Sequence, residues 1–194
     1  MPDVANTSIK VCSRASVLMG GSEIQSFTDG TAESAVVDAM YEDTATAALT
    51  SMRWGFATTQ STLVRLAAVP DGRWDAAYQI PSTSLMVHAI TVNEYPIKYD
   101  IYADMAYCDA VATDTLICDH TFRASEADWP PFFTIAVEYM MAGILAVSVA
   151  RDSQLAQMMD ERAQFHMMRA RRLDSQQQTT KKLNTSRFIA ERRS

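Results

Sequence analysis

The chain has 194 residues, 48% of which are hydrophobic, and its formal net charge is −6. This length and composition predict one domain that can bury a substantial core. The negative charge argues against a simple nucleic-acid-coating protein, because such proteins use an excess of basic residues to displace counterions from phosphate.

Two helices are predicted at the start of the chain. The first is marked by residues that recur at helical spacing: Ile9, Cys12, Ser16 and Met19. The pair Gly20-Gly21 supplies the left-handed residue that commonly ends a helix. After a polar turn, Thr31 is placed to cap a second helix that runs to about residue 52.

The second helix has apolar residues on more than one side. Its main stripe consists of Ala32, Val36, Ala39, Met40 and Ala47. Val37, Tyr41 and Leu49 lie elsewhere on the helix. This breadth predicts two buried faces, one against the protein's own core and one against a neighbouring subunit.

Short segments rich in Thr, Val, Ile and Tyr follow from residue 56 to residue 122. Turn residues such as Pro70-Asp71-Gly72 and Tyr95-Pro96 separate them. Four strands are predicted, at residues 61–66, 84–92, 97–102 and 115–122. They are enough for a small antiparallel sheet but not for a barrel, so we interpret them as an insert between helices.

A third helix is predicted to open at Ser125, with Asp128 three residues later and Pro130-Pro131 in its first turns. It continues into residues 132–149, where Glu138 is the only charged residue. The length approaches that of a membrane span. The central position of Glu138 and the small residues suited to close helix packing favour instead the central helix of a bundle, without a membrane.

The last predicted helix is capped by Asp152 or Ser153 and runs to about Asp174. One side carries Leu155, Met158, Met159, Ala163, His166, Ala170 and Leu173. Residues 177–194 then lose all apolar periodicity and form an extended basic tail. Charge is accordingly split: residues 1–150 carry 7 Lys and Arg against 18 Asp and Glu, and residues 151–194 carry 10 against 5.

The sequence has almost no signal for chemistry. It lacks the glycine-rich phosphate loops, the HExxH and GxSxG motifs and any CxxC pair. Cys108, Cys118 and His120 match no common zinc spacing. Five acids, Asp100, Asp104, Asp109, Asp114 and Asp119, lack the alternation of a calcium loop, so a solvated acidic face is the simpler interpretation. We therefore predict no enzyme and assign no catalytic, cofactor-binding or metal residue.

Cysteine number and the N-terminal sequence bear on the compartment. The three cysteines, Cys12, Cys108 and Cys118, are odd in number and follow no secretory signal. This pattern predicts free thiols rather than a disulfide framework, and synthesis in a cytoplasm. His88 and His166 lie in apolar segments, where a hydrogen-bonded core or interface histidine is more common than a catalytic one.

These elements together predict an α+β, mainly α fold. The expected architecture is an antiparallel helical bundle with a small antiparallel β-sheet insert and an extended C-terminal tail. The bundle comprises residues 1–55 and 125–176, the insert residues 56–124, and the tail residues 177–194.

The order of segments resembles a known family. It begins with VLMGGSEIQSFTDGT and AVVDAMYEDTATAALTSMRWGFA, and continues through TLVRLAAVP, GRWDAAYQIP and SLMVHAITV. It closes with the paired helices of WPPFFTIAVEYMMAGILAVSVARDSQLAQMM. Order and spacing resemble those of the head-to-tail adaptors of short-tailed bacteriophages, the tail tubular protein A type, over about residues 9–175. Ile80-Pro81 stands where the family usually has Leu-Pro.

The resemblance implies a structural virion protein in the phage neck. Its copies would form a ring of about twelve between the portal protein and the tail nozzle or tail tube, with double-stranded DNA passing through the lumen without sequence-specific binding. We expect portal docking by basic and apolar residues of the tail: Lys181, Lys182, Leu183, Arg187, Phe188, Ile189 and Arg192. We expect aromatic residues of the insert to face the tail: Trp74, Tyr78, Tyr95 and Tyr107.

Two other classes remain open from the sequence. Another neck component, such as a tail terminator or a head completion protein, would join a tail tube or show six-fold rings. The further class is a helical regulator or binding module unrelated to phages. A DNA-reading module of this class would need a basic recognition helix, which Arg169, Arg171 and Arg172 could supply.

Overall fold

The computed structural model describes residues 6–67 and 72–177. Its α-helices within these residues are α1 (Ser8–Leu18), α2 (Ala32–Thr50), α3 (Pro131–Leu145) and α4 (Ser153–Gln177). The strands are β1 (Thr58–Thr62), β2 (Val64–Arg65), β3 (Ala76–Gln79), β4 (Ser84–Val92), β5 (Tyr95–Pro96), β6 (Asp100–Tyr102), β7 (Met105–Cys108) and β8 (Leu116–Phe122).

The strands of the described chain form two antiparallel sheets of four strands, in the orders β1-β8-β4-β5 and β2-β3-β7-β6. The predicted helical bundle with one small sheet insert is therefore wrong, and the fold is a mixed α/β fold. The prediction took β5 for a turn, and it missed β3 and β7. Their sequences, AAYQ and MAYC, contain none of the β-branched residues that mark a strand, so long-range pairing rather than local propensity makes them strands.

The end of α1 and the start of α2 lie where Gly20 and Thr31 predict them. The Thr7 side chain accepts a hydrogen bond from the backbone N–H of Lys10, and Gly20 follows α1 with a φ of +87°. The Thr31 hydroxyl accepts a hydrogen bond from the Ser34 N–H at 3.1 Å. Side-chain oxygens thus satisfy an amide that each helix start leaves unpaired.

The buried side of α2 differs from the predicted stripe. Val37, Tyr41 and Leu49 face the core, whereas the stripe residues Ala32, Ala39, Met40 and Ala47 are exposed, and Val36 is half-buried. Of the two apolar sides predicted for α2, the one that carries Val37, Tyr41 and Leu49 therefore faces the core. The other side of α2 is the one left free for a partner.

α3 begins later than predicted. Ser125 caps a short 3-10 helix at Glu126–Asp128, and Pro130 then occupies the N-cap of α3. Proline suits this position because the first amides of a helix have no intrahelical partner. In the described residues, Pro131–Ala150 is the one helical stretch long and apolar enough to cross a membrane by length and composition, and half of that window is buried inside the protein.

The described residues form two hydrophobic clusters. The larger joins the four helices to the loop around Trp54, where the Trp54 and Trp129 rings both meet the Phe133 ring edge-on at 5.0 Å between centroids. The smaller contains Tyr78 and Cys108 from one sheet and Ile90 and Leu116 from the other. The sheets therefore pack face to face, and α3 packs at the centre of the helices.

Candidate subunit interface

One side of α4 combines exposed apolar and basic side chains. Its residues recur at positions i, i+4, i+7, i+11 and i+14, and all of them are exposed: Met158, Arg162, Phe165, Arg169 and Arg172. The Met158 and Phe165 side chains are 48% and 53% exposed. We call this surface the basic face of α4. Methionine, aromatic residues and arginine are the types that protein interfaces favour over the rest of the surface.

The arginines of the basic face differ from those earlier in the chain. The earlier ones all have acceptors within the chain: Arg14 with Glu138, Arg53 with Asp119, Arg65 with the Ala110 carbonyl, Arg73 with Asp100, and Arg123 with Glu42 and Glu126. Within residues 6–67 and 72–177, Arg162, Arg169 and Arg172 form no ion pair or side-chain hydrogen bond. Their guanidinium groups are available to acceptors on a partner.

An apolar groove borders the basic face. It has a volume of about 320 Å³ and is lined by Pro131, Phe132, Ile135, His166, Arg169 and Leu173. The His166 ring stacks on Tyr139 with 4.9 Å between centroids. Partial burial, together with Arg169 and Arg162, lowers the pKa of His166 below its ordinary value. These surroundings favour the neutral form of the His166 ring that packs on Tyr139.

A second helix side is acidic. Ala35, Asp38, Ala39, Glu42 and Asp43 are all exposed on α2, at spacings that place them on one side. We call this surface the acidic face of α2. Glu42 is paired with Arg123, whose Nε lies 2.7 Å from its Oε1. No Lys or Arg occurs between Arg14 and Arg53, so nothing on α2 itself offsets this negative charge.

The Arg123 network fixes α2 relative to the segment that precedes α3. Arg123 donates to both Glu42 and Glu126, and the Tyr41 hydroxyl donates to Glu126 at 2.9 Å. Burial disfavours the charged form of Glu126, but these hydrogen bonds outweigh it and hold the pKa of Glu126 below its ordinary value. The Arg123 guanidinium also lowers the pKa of Glu42. These hydrogen bonds hold α2, and with it the acidic face of α2, against the segment that precedes α3.

The four insert residues predicted to face the tail do not share one surface. Tyr78 is buried in the hydrophobic cluster between the two sheets. Trp74 is half-buried under Arg73, and Tyr107 is half-buried edge-on to Tyr102. Tyr95 alone of the four is freely exposed, at 73%.

The insert has its own apolar groove, which the prediction did not identify. It has a volume of about 470 Å³ and is lined in part by Ile80, Pro81, Leu85, Met86, Ile101 and Asp104. Met86 and Ile101 are both exposed. This groove therefore offers exposed apolar side chains that another protein could cover.

The predicted portal-docking residues lie outside the described residues: Lys181, Lys182, Leu183, Arg187, Phe188, Ile189 and Arg192.

The sequence analysis did not predict the basic face of α4 or the acidic face of α2, although it noted Arg169 and Arg172. Their signals were in the sequence: arginines alternating with Met and Phe at helical spacing, and a long stretch without a basic residue.

In the described part of the chain, no three His, Cys, Asp or Glu side chains are arranged to hold a metal ion. Cys108, Cys118 and His120 are all buried, and the thiols are free. His88 forms a hydrogen bond with the Thr121 hydroxyl at 2.7 Å. The two thiols lie in the cluster between the sheets, and the His88 hydrogen bond joins two strands of one sheet.

Comparison with known proteins adds no relative. No protein family matches the chain, and no curated protein matches it. The function must therefore be argued from its exposed surfaces.

Proposed function

We propose that this chain is a head-to-tail adaptor subunit of a tailed bacteriophage. Its copies form a ring in the virion neck, between the portal protein and the tail nozzle or tail tube, after synthesis in the host cytoplasm. The observation that carries the proposal is the basic face of α4, which exposes Met158, Phe165 and three arginines that have no ion pair among residues 6–67 and 72–177. In an assembled ring, a partner would cover this face and bury these side chains away from solvent.

Charge supports a channel for DNA. Residues 1–150 carry 11 more acidic than basic residues. A ring of such subunits repels phosphate, so DNA can pass through its lumen without adhering. The basic residues of the tail suit contact with the portal instead, and we assign docking there to Lys181, Lys182 and Arg187.

The groove beside Met86 and Ile101 suits contact with the tail. Its apolar lining would be covered by a nozzle or tube protein. Crosslinks from Tyr95, on the same sheet as Met86, should reach the nozzle rather than the portal.

The experiment mixes the purified chain with portal rings encoded by the same genome and determines symmetry by electron-microscopic class averaging. A second ring layer beneath the portal, with the portal's symmetry, is the expected result. Deletion of residues 178–194 should abolish this layer while the far-ultraviolet circular dichroism remains that of a folded protein. Bare portals, together with six-fold rings on isolated tail tubes, would instead identify a tail terminator.

A further inference from the structure

We infer that neighbouring copies meet through the basic face of α4 on one copy and the acidic face of α2 on the next. The inference rests on the proposed ring and names the two surfaces that close it. Both faces are exposed on the single chain and belong to different helices. The occupant of each face is therefore a second copy of this same chain.

The two faces are complementary in charge. The basic face presents Arg162, Arg169 and Arg172, which have no partner in the described residues. The acidic face presents Asp38 and Asp43, which also form no ion pair there, beside Glu42. Arginine and carboxylate groups form short, charge-assisted hydrogen bonds when they meet. Contact between copies would pair groups that each copy leaves unpaired.

The two faces are also complementary in shape. Met158 and Phe165 are large and exposed on α4, whereas Ala35 and Ala39 are small and exposed on α2. Large side chains on one helix pack into the gaps beside small ones on another. The apolar contact would therefore lie next to the ion pairs, as in the core and rim of other interfaces.

The two faces are separate surfaces on one chain. The groove between α2 and α4, of about 400 Å³, is lined by other residues, among them Ala47, Ser51, Ala163, Met167 and Arg171. None of the residues that define the two faces lines it. One chain thus offers a basic surface on one side and an acidic surface on another, which is the arrangement that a head-to-tail contact requires.

A symmetric contact is disfavoured by the same charges. Two copies meeting through α4 would oppose three arginines with three arginines, and two meeting through α2 would oppose acids with acids. Only the mixed contact joins opposite charges. Because such a contact is heterologous, repetition produces a closed ring or an open filament rather than an isolated dimer.

The test uses two charge-reversed chains. One carries Arg169→Glu and Arg172→Glu, and the other carries Asp38→Arg and Asp43→Arg; Glu42 is left unchanged because it holds Arg123. The matched control carries Arg151→Glu and Arg171→Glu, two exposed arginines outside the basic face. Each chain is mixed with portal rings and imaged, and its thermal unfolding is followed to establish that it folds.

Each reversed chain alone should lose the ring layer, and the control should keep it. An equal mixture of the two reversed chains should restore the layer, because alternating copies bring an acidic α4 against a basic α2 and then the reverse. A chain with all four reversals should also form rings by itself, which a general loss of folding could not produce.

Three results would overturn the inference. If both reversed chains form rings as the wild type does, the faces are not the contact. If only the α4 reversal prevents assembly and mixing does not rescue it, the basic face binds the portal rather than a neighbour. If the wild type itself forms no layer on portals, the proposed function has failed, and that outcome is visible before any variant is compared.

Discussion

The carboxylate of Asp174 accepts hydrogen bonds from the backbone N–H of Gly55, whose nitrogen lies 3.1 and 3.2 Å from the two oxygens. Asp174 is 1% exposed, at the C-terminal end of α4, and Gly55 lies just before β1. This contact ties the last helix to the point where the chain enters the sheets. It therefore fixes the basic face relative to the rest of the molecule.

Replacing Asp174 should destabilise the protein more than an exposed acid on the same helix would. Asp174→Ala leaves the Gly55 amide without its acceptor, at a cost of about 2 kcal/mol in the free energy of unfolding. Asp174→Asn keeps one oxygen acceptor and should cost less. Urea unfolding measures both, with exposed Asp160→Ala as the control, expected within about 0.5 kcal/mol of wild type. Equal costs for Asp174→Ala and Asp160→Ala would show that the contact adds no stability.

Asp174 also shows which kind of contact could not be predicted from the sequence. Gly20 and Thr31 act on the backbone beside them, so the end of α1 and the start of α2 could be predicted. Asp174 could be placed in the last helix, but its partner is 119 residues away, and no local pattern reveals that distance. β3 was missed for the same reason, because it pairs with distant β7.

The acidic face of α2 was missed for a different reason. Val36, Met40 and Ala47 have the spacing of a core stripe, but the side of α2 that carries Tyr41 is the one that packs inward. The side of α2 that carries Tyr41 faces inward, where the Tyr41 hydroxyl donates a hydrogen bond to Glu126. Periodicity identified the apolar sides of the helix but not which one faced the core.

Acid should weaken the junction at Arg123. The pKa of Glu42 is lowered chiefly by its hydrogen bond from Arg123; that of Glu126 is lowered despite burial. A carboxyl group whose pKa is lower in the folded than in the unfolded protein stabilises the fold at any pH above its unfolded-state pKa. This stabilisation is lost as the pH falls through the folded-state pKa. Stability should therefore decrease as the pH falls below 4.5, the ordinary pKa of a glutamate side chain.

Melting temperatures measured from neutral pH down to that range test the prediction. The melting temperature of Glu42→Gln should decrease less steeply than that of wild type, and an identical decrease would exclude Glu42 as a contributor.

Once Arg14 is removed from its ion pair with Glu138, the stability of the protein should depend on pH in the opposite direction. Arg14 Nη1 lies 2.7 Å from Glu138 Oε1, and burial raises the pKa of Glu138 while Arg14 lowers it. Arg14→Ala leaves a buried carboxylate without its partner and should cost about 2 kcal/mol at pH 7. Its loss should raise the pKa of Glu138 further, and a raised folded pKa means that stability returns as the pH falls toward 4.5.

Glu138→Gln is the control for that pair, because it removes the titrating group. Its stability relative to wild type should not recover in the same pH range. Urea unfolding at several pH values distinguishes the two variants. If Arg14→Ala failed to recover stability on acidification, Glu138 would not be the group that Arg14 neutralises.

The three thiols should be unreactive in the folded protein. Cys12, Cys108 and Cys118 are free and fully buried. Burial raises the pKa of Cys12 to about 12 and that of Cys118 to about 11, so little thiolate forms at pH 8. A thiol-reactive disulfide reagent should label no cysteine in the native chain and all of them after denaturation. Rapid labelling of the native chain would contradict the packing of the two cores.

Ionic strength should separate the charged part of the proposed interface from its apolar part. Screening shortens the range of charge interactions from about 10 Å at 0.1 M salt to about 3 Å at 1 M, whereas apolar contacts are not weakened by screening. The occupancy of portals by wild-type rings should therefore fall across this range. Arg169→Gln should start lower and fall less steeply, because one charge pair is already gone. Phe165→Ala should lower occupancy at every salt concentration and retain the wild-type slope. Equal slopes for Arg169→Gln and wild type would mean that Arg169 takes no part in the contact.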